Sequence, residues 1–207
     1  MPKSHNQLLG KPLVENLCQR GMTMLELLIA MAVLAIGMTG AMGMILAGVR
    51  ANSRNKNDTA AVVLDQEILE EFATFQTFPS TGTVMVNDCG TGATSQHQAS
   101  VVGSVLGLGA ALYTTANAPF PANVGDIDWT QPAPVMATVG TPGYAMNYQT
   151  CNGDIFEVRW NVMWIFPMNG TSRIASLTVS SRQTASANSK VPTLFSTPTT
   201  LHTIIDY

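Results

Sequence analysis

Residues 20–49 read RGMTMLELLIAMAVLAIGMTGAMGMILAGV, and this stretch decides the fold. From Leu27 to Val49 there is no charged residue. As a helix the run extends about 34 Å at ~1.5 Å per residue, enough to cross a bilayer core of ~30 Å. Glu26 stands at its entrance, and Arg50, Arg54 and Lys56 follow its exit. Upstream, Met1 to Gly21 is polar and mildly basic, with Lys3, Lys11 and Arg20 against Glu15. Three basic residues therefore flank each end, and charge asymmetry sets no orientation. The run is longer than the ~7–15 apolar residues of a secretory signal. A plain membrane anchor explains the length. It has no use for a carboxylate one turn from its start, where charge is costly and tends to serve a function.

The junction Arg20-Gly21-Met22-Thr23-Met24-Leu25-Glu26, followed by the apolar run, resembles the class III signal of type IV prepilins. The resemblance implies a leader over residues 1–21, cut between Gly21 and Met22 by a prepilin peptidase on the cytoplasmic side. It also implies that Met22 becomes the N-methylated first residue, although phenylalanine is more usual there, and the leader is long for the commonest subclass. Glu26 falls on the family's glutamate at the fifth mature position. A carboxylate in an apolar stem needs a cation or must neutralise. In a filament of staggered helices that cation is the N-terminal amine of a neighbouring subunit, which makes Glu26 an assembly residue.

The rest of the run suits close helix packing. Ala35, Thr39, Gly43 and Ala47 recur every four residues, and such small-residue ridges let backbones approach in lipid. Gly37, Gly40 and Gly43 each lower helix propensity by about 1 kcal/mol relative to Ala. Glycine is also common in membrane helices for no further reason, and both readings stay open. After Val49 the pattern turns amphipathic with no breaker before Pro79: Ala61, Leu64, Ile68, Phe72 and Phe75 step by three and four, while Asp65, Glu67, Glu70 and Glu71 decorate other faces. The chain thus divides into a leader (1–21), a transmembrane or filament stem (22–49), an amphipathic continuation (50–78) and a loop-rich β head (79–207). One helix from Met22 to Phe75 would be roughly 80 Å long.

In the head, short strands are expected over Thr83–Val86, Ser104–Leu108 and Tyr144–Gln149. The clearest β signal is later. Phe156, Val158, Trp160, Val162 and Trp164 alternate within Ile155–Phe166, Pro167-Met168-Asn169-Gly170 is turn chemistry, and Ile174–Ser180 alternates again. Together they predict an antiparallel hairpin with one face on the helix, and Leu201, Thr203, Ile205 and Tyr207 suggest a terminal strand. The hairpin, with Val-x-Trp in one strand and Leu-x-Val in the other, resembles the PilV-like branch of minor pilins. The expected fold is α+β, a long N-terminal helix packed on a small antiparallel sheet, the αβ-roll head that the resemblance implies.

Of three cysteines, Cys18 leaves with the leader; Cys89 and Cys151 remain and, in an oxidising compartment, form one disulfide. Neither has a second ligand at zinc spacing. His5, His97 and His202 are isolated in sequence, and no nucleophile, metal or phosphate motif occurs. Asp126 and Asp128 lack the further carboxylates of a calcium loop and read as a solvated turn. With only 11% charged residues, a net charge of -3 and no basic block, direct nucleic-acid binding is not expected. No cofactor, metal or enzymatic activity is expected. The reading is a minor pilin that primes or enters a type IV pilus, held in the bacterial inner membrane with a periplasmic head. Its partners would be other pilin subunits, the prepilin peptidase and the inner-membrane assembly platform. The alternatives are a pseudopilin of a type II secretion or DNA-uptake system, and a membrane-anchored periplasmic binding protein or enzyme.

Overall fold

The computed structural model describes residues 23–74, 82–90, 96–165, 174–186 and 197–206. It divides into two units, Met1–Gly48 and Val49–Tyr207. A single helix, α1 (Met24–Thr74), contributes to both. Thr23 caps it: the Glu26 amide donates to the Thr23 hydroxyl at 3.3 Å, the geometry of an N-cap to its third residue. The expected helix is present over Met24–Thr74; Met22 and Phe75, its expected ends, lie outside the described residues.

In the second unit, β1 (Thr83–Asn87) and β2 (Gln96–Ser100) form a two-stranded antiparallel sheet. The larger sheet contains β3 (Leu108–Gly109), β4 (Ala145–Gln149), β5 (Asp154–Ile165), β6 (Ile174–Ser186) and β7 (Thr199–Asp206). β5 and β6 pair along almost their whole lengths, β7 borders β6, and β4 and β3 share the other side of β5. The fold class is α+β, with the long helix followed by antiparallel sheets.

Strand periodicity sorts the side chains into two faces. Phe156, Val158, Trp160 and Val162 are buried against the second half of α1, where Ala61, Leu64, Ile68 and Phe72 meet them. Phe72 stands edge-on to Trp160 with ring centroids 5.5 Å apart. The opposite face carries Glu157, Arg159, Asn161, Thr178, Ser180 and Arg182, and the long segment from 101 to 143 covers it. Trp129 of that segment donates to Ser180 at 2.9 Å, Arg159 donates to the Gln131 carbonyl, and Asn161 donates to the Ala110 carbonyl. The head is therefore layered as helix, sheet and covering loop.

Three differences from the sequence reading have physical causes. β2 (QHQAS) was not expected, because it carries no apolar alternation and only its pairing with β1 makes it a strand. The strand expected over Ser104–Leu108 shrinks to an isolated bridge at Ser104 and the two residues of β3. Gly107 and Gly109 adopt positive φ, which breaks the extended backbone there. Asp65, expected on an outer face, is buried instead. The turn expected at residues 167–170 lies outside the described residues, as do Phe166 and Tyr207.

Candidate functional site

The first unit holds the residues to which the sequence assigns processing and assembly. Gly21 and Met22 lie outside the described residues. Glu26 sits in the first turn of α1, near the positive end of the helix dipole, where a carboxylate is favourable. Thr23 and Glu26 stand at the T-x-x-E spacing of a capping box, of which the bond from the Glu26 amide to the Thr23 hydroxyl is formed.

Every residue from Thr23 to Lys56 is exposed within the chain. Ile36, at 73% exposure, typifies a stretch of apolar side chains that nothing among the described residues covers. A helix apolar all round and uncovered is matched to a membrane or to other helices rather than to water. It is long and apolar enough to span a bilayer. A Cβ added at Gly37, Gly40 or Gly43 would meet no atom within 4 Å, so no contact among the described residues explains these glycines.

Residues 16–42 match the prokaryotic N-terminal methylation motif. The match encloses the Gly21–Met22 junction and Glu26 and ends within the apolar run. The chain thus carries a prepilin-type N-terminal segment, which implies processing by a prepilin peptidase and assembly with pilin-like subunits. No curated protein and no solved structure matches the chain.

In the head, Cys89 and Cys151 are joined as a disulfide, with Cα atoms 4.7 Å apart. The Cys89 and Gly90 amides both donate to the Gln149 carbonyl, which ties the end of β1 to β4 beside the bridge. Both cysteines are exposed and line an open groove of about 650 Å³ against α1, bordered by Lys56, Val63, Glu67 and Tyr148.

The histidines that are isolated in sequence are not isolated in space. His97 lies 3.5 Å from Asp88. His202 on β7 reaches Asp126 at 3.0 Å through Nε2 and Thr178 at 3.0 Å through Nδ1. This Asp–His–Thr chain has the connectivity of a hydrolase relay, but Thr178 is only 4% exposed in mid-sheet, where no substrate carbonyl can reach its hydroxyl. It serves as a clasp between β7 and the covering loop. Asp126 and Asp128 are committed to hydrogen bonds: Asn123 and His202 hold Asp126, and the Thr130 amide and hydroxyl hold Asp128. Among the described residues no cluster of three potential ligands could hold a metal ion.

A second cluster was also illegible in sequence. The guanidinium groups of Arg159 and Arg182 both lie over the Trp129 ring, 4.3 and 4.4 Å from its centre. Glu157 bridges the two arginines at 2.7 and 2.9 Å. Burial pushes the Glu157 carboxyl up, but hydrogen bonds from Arg182 and Arg159 outweigh it and hold the group below its ordinary value. The cluster pins the covering loop to the sheet.

Proposed function

We propose that the chain is a minor pilin of the PilV-like kind, which enters or primes a type IV pilus after cleavage between Gly21 and Met22 and N-methylation of Met22. The observation that carries this reading is the coincidence of the methylation motif with an apolar helical run that the chain itself leaves uncovered. Before assembly the run would hold the subunit in the inner membrane, with residues 50–207 on the periplasmic side. After extraction the same surface would pack against neighbouring pilins. The aromatic β5–β6 hairpin supports the PilV-like assignment.

Mass spectrometry of the mature N-terminus tests the proposal. In cells with prepilin peptidase the chain should begin at methylated Met22, and in cells lacking the enzyme it should keep residues 1–21. A mature chain that retains Ser4 to Arg20 in the presence of the peptidase would overturn it. Deleting the gene should reduce surface pili; loss of protein secretion with pili intact would move the assignment to a secretion pseudopilus.

A further inference from the structure

Asp65 lies on the stripe of α1 that faces the sheet and is 0% exposed. Its Oδ2 accepts a hydrogen bond from the hydroxyl of Thr199, the first residue of β7, at 2.8 Å. Its Oδ1 is buried without a hydrogen-bond partner among the described residues. The neighbouring Ser181 hydroxyl on β6 is directed to the Ala61 carbonyl at 3.2 Å.

Among the described residues no cation compensates this carboxylate. The charged groups of the neighbouring strands, Glu157 and Arg159 on β5, Arg182 on β6 and His202 on β7, bond on the loop-covered face of the sheet. On α1 itself the nearest charges are acidic, and Glu67 and Glu70 point to solvent. What faces Asp65 is the Thr199 hydroxyl together with the hydroxyl and backbone amide of Ser181.

A neutral carboxyl completes this arrangement and a carboxylate does not. The acid form carries a donor. With the proton on Oδ1, Asp65 donates to Ser181, Ser181 donates to the Ala61 carbonyl, and Thr199 donates to Oδ2, so every group is satisfied. Removing the proton leaves a buried, unpaired charge, which is relieved by admitting water. β7 is the element that can yield, since among the described residues it is an edge strand with no neighbour beyond it. An open groove of about 380 Å³ between α1 and β7, lined by Gln66, Leu69, Leu201 and Thr203, brings solvent to its side.

We propose that Asp65 is a proton-gated latch that fastens strand β7 to helix α1 when neutral and loosens it when ionised. Burial pushes this carboxyl up to about 7, against the opposing pull of Ser181 and Thr199. Below the ordinary carboxyl value of 3.8 both folded and unfolded chains are neutral and the latch contributes fully. Between there and about 7 the unfolded chain ionises while the folded one keeps its proton, so stability falls as pH rises. Above about 7 the folded carboxyl ionises too, the loss is complete, and β7 stays loosened. The latch stands independently of the filament reading.

The test uses the full chain in detergent micelles. The ¹³C resonance of the Asp65 carboxyl is followed from pH 4 to 9, and amide exchange of β7 is read relative to β5, which cancels the intrinsic effect of pH. The carboxyl should titrate near neutrality. The protection of β7 relative to β5 should fall as pH rises toward that midpoint, by at most roughly tenfold per pH unit, and level off above it. Asp65→Asn, permanently neutral and with a donor of its own, should hold that ratio constant. An Asp65 carboxyl that titrates in the ordinary range overturns the proposal, as does a β7 ratio that falls equally in Asp65→Asn. Should that variant not fold, the coincidence or separation of the wild-type carboxyl midpoint and the pH at which the β7 ratio levels off decides.

Discussion

The two halves of α1 are one continuous helix with opposite surroundings. Between Met24 and Lys56 its side chains face outward on every side, and most are apolar up to Val49. Between Ala61 and Phe72 a stripe of Ala61, Leu64, Ile68, Leu69 and Phe72 is buried against the sheet. Hydrophobicity alone therefore does not say what a helix packs on. The first half has more apolar surface yet buries none of it within the chain, while the second half, with fewer apolar residues, supplies a wall of the core. The periodicity of the pattern, all round or one-sided, separates the two cases.

The largest expected effect lies at the buried stripe. Phe72→Ala removes a side chain that is 1% exposed and packed on Trp160, and should destabilise the head by about 3–5 kcal/mol. Ile36→Ala, in the uncovered half, should leave the unfolding midpoint of the head within ~0.5 kcal/mol of wild type. Denaturant titration in detergent, with tryptophan fluorescence reporting on Trp160, reads both. Equal losses from the two variants would break the contrast.

An intermediate effect belongs to the disulfide, which links positions 62 residues apart. In the chain-entropy view, closing a loop of that size contributes about 4 kcal/mol, and replacing Cys89 and Cys151 with serine should cost the head a large part of it. The stem should be indifferent, and partition of the variant into membranes should not change. A head as stable without the bridge would mean that the Gln149 carbonyl contacts and the core already fix that corner.

The smallest effect on stability should come from Glu26→Gln. Insertion should be unaffected, because the segment becomes more compatible with lipid. If Glu26 pairs with a neighbouring subunit's amine, however, the variant should be depleted from sheared pili relative to the membrane fraction. Entry into pili at the wild-type level would reduce Glu26 to the capping role its position already allows.

The patterned parts of this fold were legible in the sequence. An uncharged run with a glutamate at its mouth, a one-sided stripe and an alternating aromatic strand are local signals, and α1, β5, β6 and β7 follow from them. What stayed hidden depends on contacts far apart in sequence. β2 is a strand because β1 lies beside it. Asp65 looks like surface decoration until Thr199 and Ser181 are brought to it, 134 residues away in the case of Thr199. His202 and Asp126, or Trp129 and its two arginines, have no spacing that announces them. Charge in a helical stripe reads as exposure by default, and a buried acid among hydroxyls is the case in which that default fails.

The order of elements along the chain also bears on how the head forms. The apolar stripe of α1 is made early in synthesis, yet the strands that cover it come from residues 154–206, and the Ser181–Ala61 hydrogen bond alone spans 120 residues. Contacts this distant are slow to close, because the entropy of the intervening loop is lost before they can reward it. Until β5 and β6 emerge, Leu64, Ile68 and Phe72 stay uncovered beside an even more apolar stem. The nascent chain is therefore most prone to aggregate over the long interval between helix and hairpin, when it depends most on a membrane or a chaperone to shield that surface.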